Sequence, residues 1–344
     1  MEARAGAPRR GYSRRVSPRG RVVAIVGLAA AAAVAAVLGV TLLQTRGQTT
    51  VVAGAVTAPR AGTPPLQLDF GVRADAQARA LARAQQAYDA GKVAQAARVF
   101  ARYHSLAAQL GTAFARWRSD GLAPVVRIAA AHPTSALAEL HLAWAYYWAG
   151  RNADAVAAWE KTAALDPDSP YAVDALDALH PSLKIPGLPP IVTPLELPQA
   201  EQKLPAARQL ALLRATAAKP GAGAADRILY GLALWNLRRP VSAERQFAAA
   251  ARLAPHDPLA RTVAAVGAFS KANPVRAFGR LGPLTGVFPK AAVVRLHLGL
   301  LLLWKGEAKK AAAQLRLAVA DEPQSVYAKN ANVLLASLHD NGTK

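Results

Sequence analysis

Small, apolar and proline positions return along this chain at a fixed long period. Between residues 224 and 325, Gly231, Ala265 and Gly299 fall 34 residues apart. Ala243, Ala277 and Ala311 keep the same spacing, as do Phe247, Leu281 and Leu315, and Pro255, Pro289 and Pro323. Four columns in step over three periods predict three copies of one unit. A period of about 34 is that of a helix–turn–helix repeat, so the stretch reads as three stacked helical hairpins. The middle copy, 258–291, carries Gly279, Gly282, Pro283 and Gly286 in its second helix, which should therefore be short or broken.

The rest of the chain divides around these repeats. Residues 1–21 are rich in Arg, Gly, Pro and Ser and read as a disordered basic tail. Val22–Gln44 holds no charge over 23 residues, about 34 Å of helix at 1.5 Å per residue, enough for a hydrocarbon core of about 30 Å. It is expected to be a transmembrane helix. Arginines crowd its N-terminal side, which places the N-terminus in the cytoplasm and the bulk of the chain outside. A cleaved signal peptide is the alternative; the apolar core is long for one, and Ala53-Gly54-Ala55 lies far beyond its end. Residues 45–73 lack period and read as a linker. Residues 74–180 are helical: 74–90 stops at Gly91, Ala96 and Phe100 pattern the next helix, 104–131 is poorly patterned, and Pro170–His180 looks like a cap. Six prolines in 181–199 break any helix and favour an extended connector. Its Leu183, Ile185, Leu188, Ile191, Val192, Leu195 and Leu197 are too many apolar residues for a solvated linker, so it is expected to pack on something. A lone helix over about 200–218, a joint at Lys219–Gly223, the three repeats and a cap at Ser325–His339 complete a second segment, 200–339.

These columns resemble the tetratricopeptide repeat (TPR) family, of the single-pass membrane-anchored bacterial type. A further unit at 136–169 matches through Leu142, Ala143, Tyr146, Gly150, Ala155, Trp159 and Pro167, with Glu139 and Thr162 as departures; Gly91, Ala96 and Phe100 match more weakly, with Arg83 out of pattern. The resemblance implies an all-α solenoid of TPR hairpins in two segments, after one transmembrane helix. It also implies that the first helix of each hairpin lines a concave groove. Trp144, Tyr147, Trp148, Leu232, Trp235, Phe269, Leu300 and Trp304 then form an apolar and aromatic groove stripe where charged-peptide binders carry polar residues. That stripe could hold an amphipathic partner segment, could be filled by 181–199 or the opposite half of the chain, or could mediate a homo-oligomer.

Composition adjusts this picture in two ways. The net charge of +21 comes from 42 basic and 21 acidic residues, and only eight Arg and one Glu lie in the first 46 positions, so the repeats are basic too. This favours anionic partners and supports an alternative in which the solenoid binds a cell-wall polymer or lipid surface directly. There are no cysteines, which removes disulfides, thiolate metal sites and a Cys nucleophile. No phosphate-binding loop, zinc-protease or serine-hydrolase motif is present, and the seven His are scattered singly. No enzyme, metal or cofactor is expected, nor nucleic acid, because the basic tail has one aromatic residue, Tyr12, and no recognisable module. The expectation is a membrane-tethered scaffold or chaperone-like adaptor for another envelope protein.

Overall fold

The computed structural model describes residues 57–183 and 185–342. The tail 1–21 and the apolar segment 22–44 lie outside the described residues, and among the described residues no helix is long and apolar enough to cross a membrane. Every regular element described is helical. The first half pairs α1 (Ala76–Asp89) with α2 (Val93–Phe100). An interrupted hairpin follows, α3 (Leu106–Ala115), α4 (Trp117–Asp120) and α5 (Ala123–Ala131). Then come α6 (Ala136–Trp148) with α7 (Asn152–Leu165), and the cap α8 (Pro170–Leu179). After the connector come α9 (Gln199–Gln202) and α10 (Ala206–Ala218). The second half repeats the plan. It runs α11 (Ala224–Asn236) with α12 (Pro240–Leu253), an interrupted hairpin α13 (Pro258–Val266), α14 (Val275–Leu281) and α15 (Leu284–Val287), then α16 (Ala292–Trp304) with α17 (Ala308–Asp321), and the cap α18 (Val326–Gly342).

The four regular hairpins turn in the same way. A left-handed residue, Gly91, Gly150, Arg238 or Gly306, follows the first helix. Its N–H and that of the next residue bond back onto the helix: Gly91 to Tyr88 and Lys92 to Ala87, and equivalently Arg238 to Trp235 and Arg239 to Leu234. This pair of bonds satisfies carbonyls that the helix end leaves free. Asp75, Ser135, Ser169 and Asp257 cap the opposite ends by accepting first-turn N–H groups.

The 34-residue columns are the packing contacts within hairpins. Phe247, Leu281 and Leu315 of the second helices are fully buried. Two of them lie against the small column of a first helix: a Cβ on Gly231 would fall 2.5 Å from the Phe247 ring, and one on Gly299 2.9 Å from Leu315. The departures from the pattern have partners. Glu139 is buried and accepts from Lys161 Nζ at 2.7 Å, and Thr162 donates to its own helix at the Ala158 carbonyl, 2.8 Å. The middle repeat breaks at Gly282-Pro283, as its composition predicts. Its first helix also stops early, at Val266, so Phe269 lies beyond the helical stripe, in a loop, though still buried.

The two halves are joined by carboxylates of the first cap region. Asp168 accepts from the Ser242 N–H (2.9 Å) and hydroxyl (2.5 Å) in the first turn of α12, where the helix dipole favours negative charge. Asp177 pairs with the buried Lys271 at 2.6 Å. Asp174 pairs with Arg238, which explains why a side chain stands at a left-handed turn where the other hairpins use glycine. Burial raises the Asp174 carboxyl to about 6, against the pull of Arg238.

Three outcomes follow for thermal or urea unfolding. Gly231→Ala should destabilise by about 1–2 kcal/mol, since overpacking against Phe247 outweighs the roughly 1 kcal/mol propensity gain of alanine. Gly279→Ala, with nothing near its Cβ, should stabilise by up to about 1 kcal/mol. Arg238→Gly relieves the turn yet should still destabilise by about 1–3 kcal/mol at neutral pH, because it leaves a buried carboxylate without its charge partner.

Candidate functional site

Each half of the molecule holds an extended strap of its own chain against the first helices of its hairpins. In the second half the strap is 185–197, from the proline-rich connector. Ile185, Ile191 and Val192 join the buried cluster that contains Leu232, Trp235, Phe269, Leu300 and Trp304, and Leu197 is buried beside Leu213. In the first half the strap is 57–70, within the stretch read as an unpatterned linker. Here Pro64, Leu66 and Leu68 are buried at every second position, the period of extended chain, and both leucines share a cluster with Leu81, Tyr88 and Phe114.

The straps carry peptide groups that have no helical or sheet partner, and side chains of the groove meet them. In the first half Tyr88 Oη donates to the Pro64 carbonyl at 2.5 Å. Gln67 N–H donates to His141 Nε2 at 3.3 Å. Trp144 Nε1 donates to Gln67 Oε1 at 2.7 Å. Gln85 holds the next residues by both ends of its amide, donating to Leu66 O (3.0 Å) and accepting from Leu68 N–H (3.1 Å). The outer end is pinned by Thr57 N–H to Gly150 O (2.9 Å) and Arg60 N–H to Trp148 O (2.8 Å), with the Arg60 guanidinium 3.4 Å above the Tyr147 ring. Gly150 is obligatory here: its φ is +79°, and a Cβ would fall 1.9 Å from the Thr57 carbonyl oxygen. In the second half Trp235 Nε1 donates to the Pro189 carbonyl at 2.8 Å, and Val192 N–H donates to His297 Nε2 at 3.0 Å. The strap's entry is held by Gly187 N–H to Asp177 (2.8 Å) and Lys271 Nζ to Leu183 O (3.2 Å).

The residues expected to line the groove therefore all face a strap or its cluster. Trp144 and Tyr147 meet the first strap with their side chains and Trp148 with its carbonyl; Trp235 bonds to the second, and Leu232, Phe269, Leu300 and Trp304 share its buried cluster. Neither groove is empty. The histidines are the residues that sequence reasoning missed, having been set aside as single and scattered. The signal was a shared octad, His141-Leu-Ala-Trp-Ala-Tyr-Tyr-Trp148 and His297-Leu-Gly-Leu-Leu-Leu-Leu-Trp304.

Both imidazoles are fully buried and both sit in one tautomer. Nδ1–H donates to the carbonyl one turn back, Leu137 or Val293, at 2.7 Å in each case, which leaves Nε2 to accept the strap N–H. Burial pushes each pKa down to about 4, against the pull of that carbonyl. A cavity of about 180 Å³ lies between the halves beside Val173, Leu188 and Phe269, but its charged groups are already paired, Asp177 with Lys271 and Glu244 with Arg276. No group of three His, Cys, Asp or Glu side chains is gathered for a metal among the described residues.

The histidines give a pH signature. As pH falls through 6.5 the unfolded chain protonates each imidazole, whereas the folded chain does so only near 4. The unfolded state binds more protons in that window, so stability is full above 6.5 and is lost as pH drops towards 4. Asp174, raised to about 6, acts in the opposite sense over the lower part of the window. His297→Gln removes one imidazole, so its stability loss between neutral pH and pH ~4.5 should be about 2–3 kcal/mol smaller than that of the parent chain. Urea unfolding at the two pH values measures this, and equal losses would show an imidazole that is not buried and neutral.

No family model matches the chain, and no curated protein matches it. Solved structures do. A tetratricopeptide repeat protein from Parabacteroides merdae is 13% identical, over 76% of this chain and 98% of that one, with a TM-score of 0.33. YrrB, a TPR protein described as having an unusual peptide-binding site, is 15% identical over 60% of this chain and 97% of its own, with a TM-score of 0.29. The TPR2AB-domain:pHSP90 complex of yeast Sti1 is 11% identical over 76% and 98%, also at 0.29. At these scores the likenesses carry no argument about what the grooves do. The chain is an all-α solenoid of helical hairpins that is similar to TPR proteins, and that statement rests on its own 34-residue columns and turns.

Proposed function

We propose that the protein is a membrane-tethered scaffold with a chaperone-like role, anchored by 22–44 with its N-terminus in the cytoplasm. Its grooves hold extended segments of another envelope protein. One observation carries this reading: each groove already holds an extended, proline-containing segment through backbone hydrogen bonds and apolar pockets. That is the geometry by which a solenoid grips an unfolded stretch of chain. The straps are then resident occupants that keep an apolar surface covered until a partner segment replaces them. The basic surface adds long-range attraction for acidic partners or head groups and so raises encounter rates rather than residence.

A photoreactive residue at Leu303, half-buried against the second strap's cluster, tests the reading in native membranes. It should crosslink to a second envelope protein, and more strongly when Ile191→Ser loosens the strap. Crosslinks confined to the chain's own 185–197 in both forms would refute partner binding. High salt separates the polyanion alternative: a groove contact should persist, whereas binding to a cell-wall polymer or lipid surface should fall steeply. Release of the protein from membranes by salt alone would contradict the anchor.

A further inference from the structure

The two straps lie at unrelated places in the chain, yet the segments that enter the grooves share a local sequence. Pro64-Pro65-Leu66-Gln67 and Pro189-Pro190-Ile191-Val192 align without a gap. Their burial aligns too: the first proline and the aliphatic residue are buried in both, and the second proline is half-buried in both. The carbonyl of the first proline accepts from an aromatic donor, Tyr88 Oη at 2.5 Å or Trp235 Nε1 at 2.8 Å. The N–H of the fourth residue donates to a buried imidazole, His141 at 3.3 Å or His297 at 3.0 Å.

The reading groups are equivalent in the repeat as well. Tyr88 and Trp235 each stand three residues before a left-handed turn residue, Gly91 and Arg238, on the first hairpin of their half. His141 and His297 each stand nine residues before Gly150 and Gly306, on the third hairpin. The same two donors and acceptors are thus set the same distance along the solenoid in both halves. Proline in the first two places suits this geometry. It lacks an N–H that the apolar wall could not satisfy, and it holds the backbone extended at little entropic cost.

We infer that both grooves read one peptide code, Pro-Pro-(Leu or Ile)-x, and that the partner is an extended segment carrying this code. The aromatic donor fixes the first proline, an apolar pocket takes the aliphatic residue, and the imidazole takes the next N–H. The side chain of the first three positions, not a charge, sets specificity. This rests on the reading of the grooves as segment-binding sites and names the ligand that they select.

Two peptides test it on the full-length chain, residues 186–195 and residues 61–70, each against a control in which Pro-Pro-aliphatic is replaced by three alanines. With the parent protein, excess 186–195 peptide should speed hydrogen exchange across 185–197 while α11 and α16 stay protected. With Ile191→Ser, a fluorescent 186–195 peptide should bind saturably. The alanine control should bind at least ~10-fold more weakly, and His297→Leu in that background should weaken binding about 10-fold by leaving the peptide N–H unmet. The decisive result is competition by 61–70, a peptide from the other half, at a similar concentration. Binding of 186–195 without competition by 61–70, or with an equally good alanine control, overturns the common code and leaves segment binding standing. Absence of both binding and strap exchange, with helical circular dichroism intact, overturns segment binding itself. If Ile191→Ser does not fold, the exchange experiment on the parent chain with both peptides and the control decides alone.

Discussion

A stretch of extended chain buried in an apolar groove has peptide groups that neither helix nor sheet will satisfy. An unmet buried N–H or C=O costs roughly 1–3 kcal/mol, so the groove must supply partners from side chains. This constraint accounts for the polar residues that interrupt otherwise oily first helices. Gln85, Tyr88, His141, Trp235 and His297 each meet a strap peptide group or hold one in place. Histidine suits the task because its other ring nitrogen is committed to a carbonyl of its own helix, which fixes a neutral acceptor in a place no water reaches. Where prolines enter, the demand shrinks, since a proline brings a carbonyl and no N–H.

The repeats make such a groove rigid enough to impose that pattern. Gly231 and Gly299 of first helices close on Phe247 and Leu315 of second ones, and the four regular hairpins turn through a left-handed residue. Stacked units bury their faces only against neighbours, so the open side of the stack needs a cover. The caps α8 and α18 cover the ends. The straps cover the apolar stripe between, and the first cap does a second job. Its acidic residues Asp174 and Asp177, with Asp168 in the turn before it, dock on the second half, so the strap of the second groove begins at a point that the first half positions.

A self-liganded groove would change how the proposed partner capture works. A partner segment would not meet an empty site. It would exchange with a tethered one, and its affinity would be the difference between the two, reduced by the high local concentration of the strap. Weak apparent binding would then be compatible with well-made contacts, and selectivity would come from matching the resident segment. The cover also protects the chain, because an exposed stripe of Trp, Phe and Leu residues on this scale is an aggregation hazard.

The all-helical class, the 34-residue hairpins, the caps and the break at Gly282-Pro283 were readable from spacing alone. Those features depend on local geometry: helix period, turn glycine, small-against-large packing and proline are all written within one repeat. The apolar connector was readable as a segment that must pack, and 181–199 as one of several occupants the aromatic stripe could have. Which of them covers it, and that 57–70 covers the first half, was not. Residues 57–70 carry too short an alternation to stand out, and a lone histidine in a helix has the same local sequence whether it faces solvent, core or a strap. Arg238 in a glycine's place and the neutral state of His141 and His297 follow from residues far away in the chain. Pairing a groove with its occupant is a long-range contact, which only the folded chain decides, whereas the repeats that build the groove are local and are determined by the sequence itself.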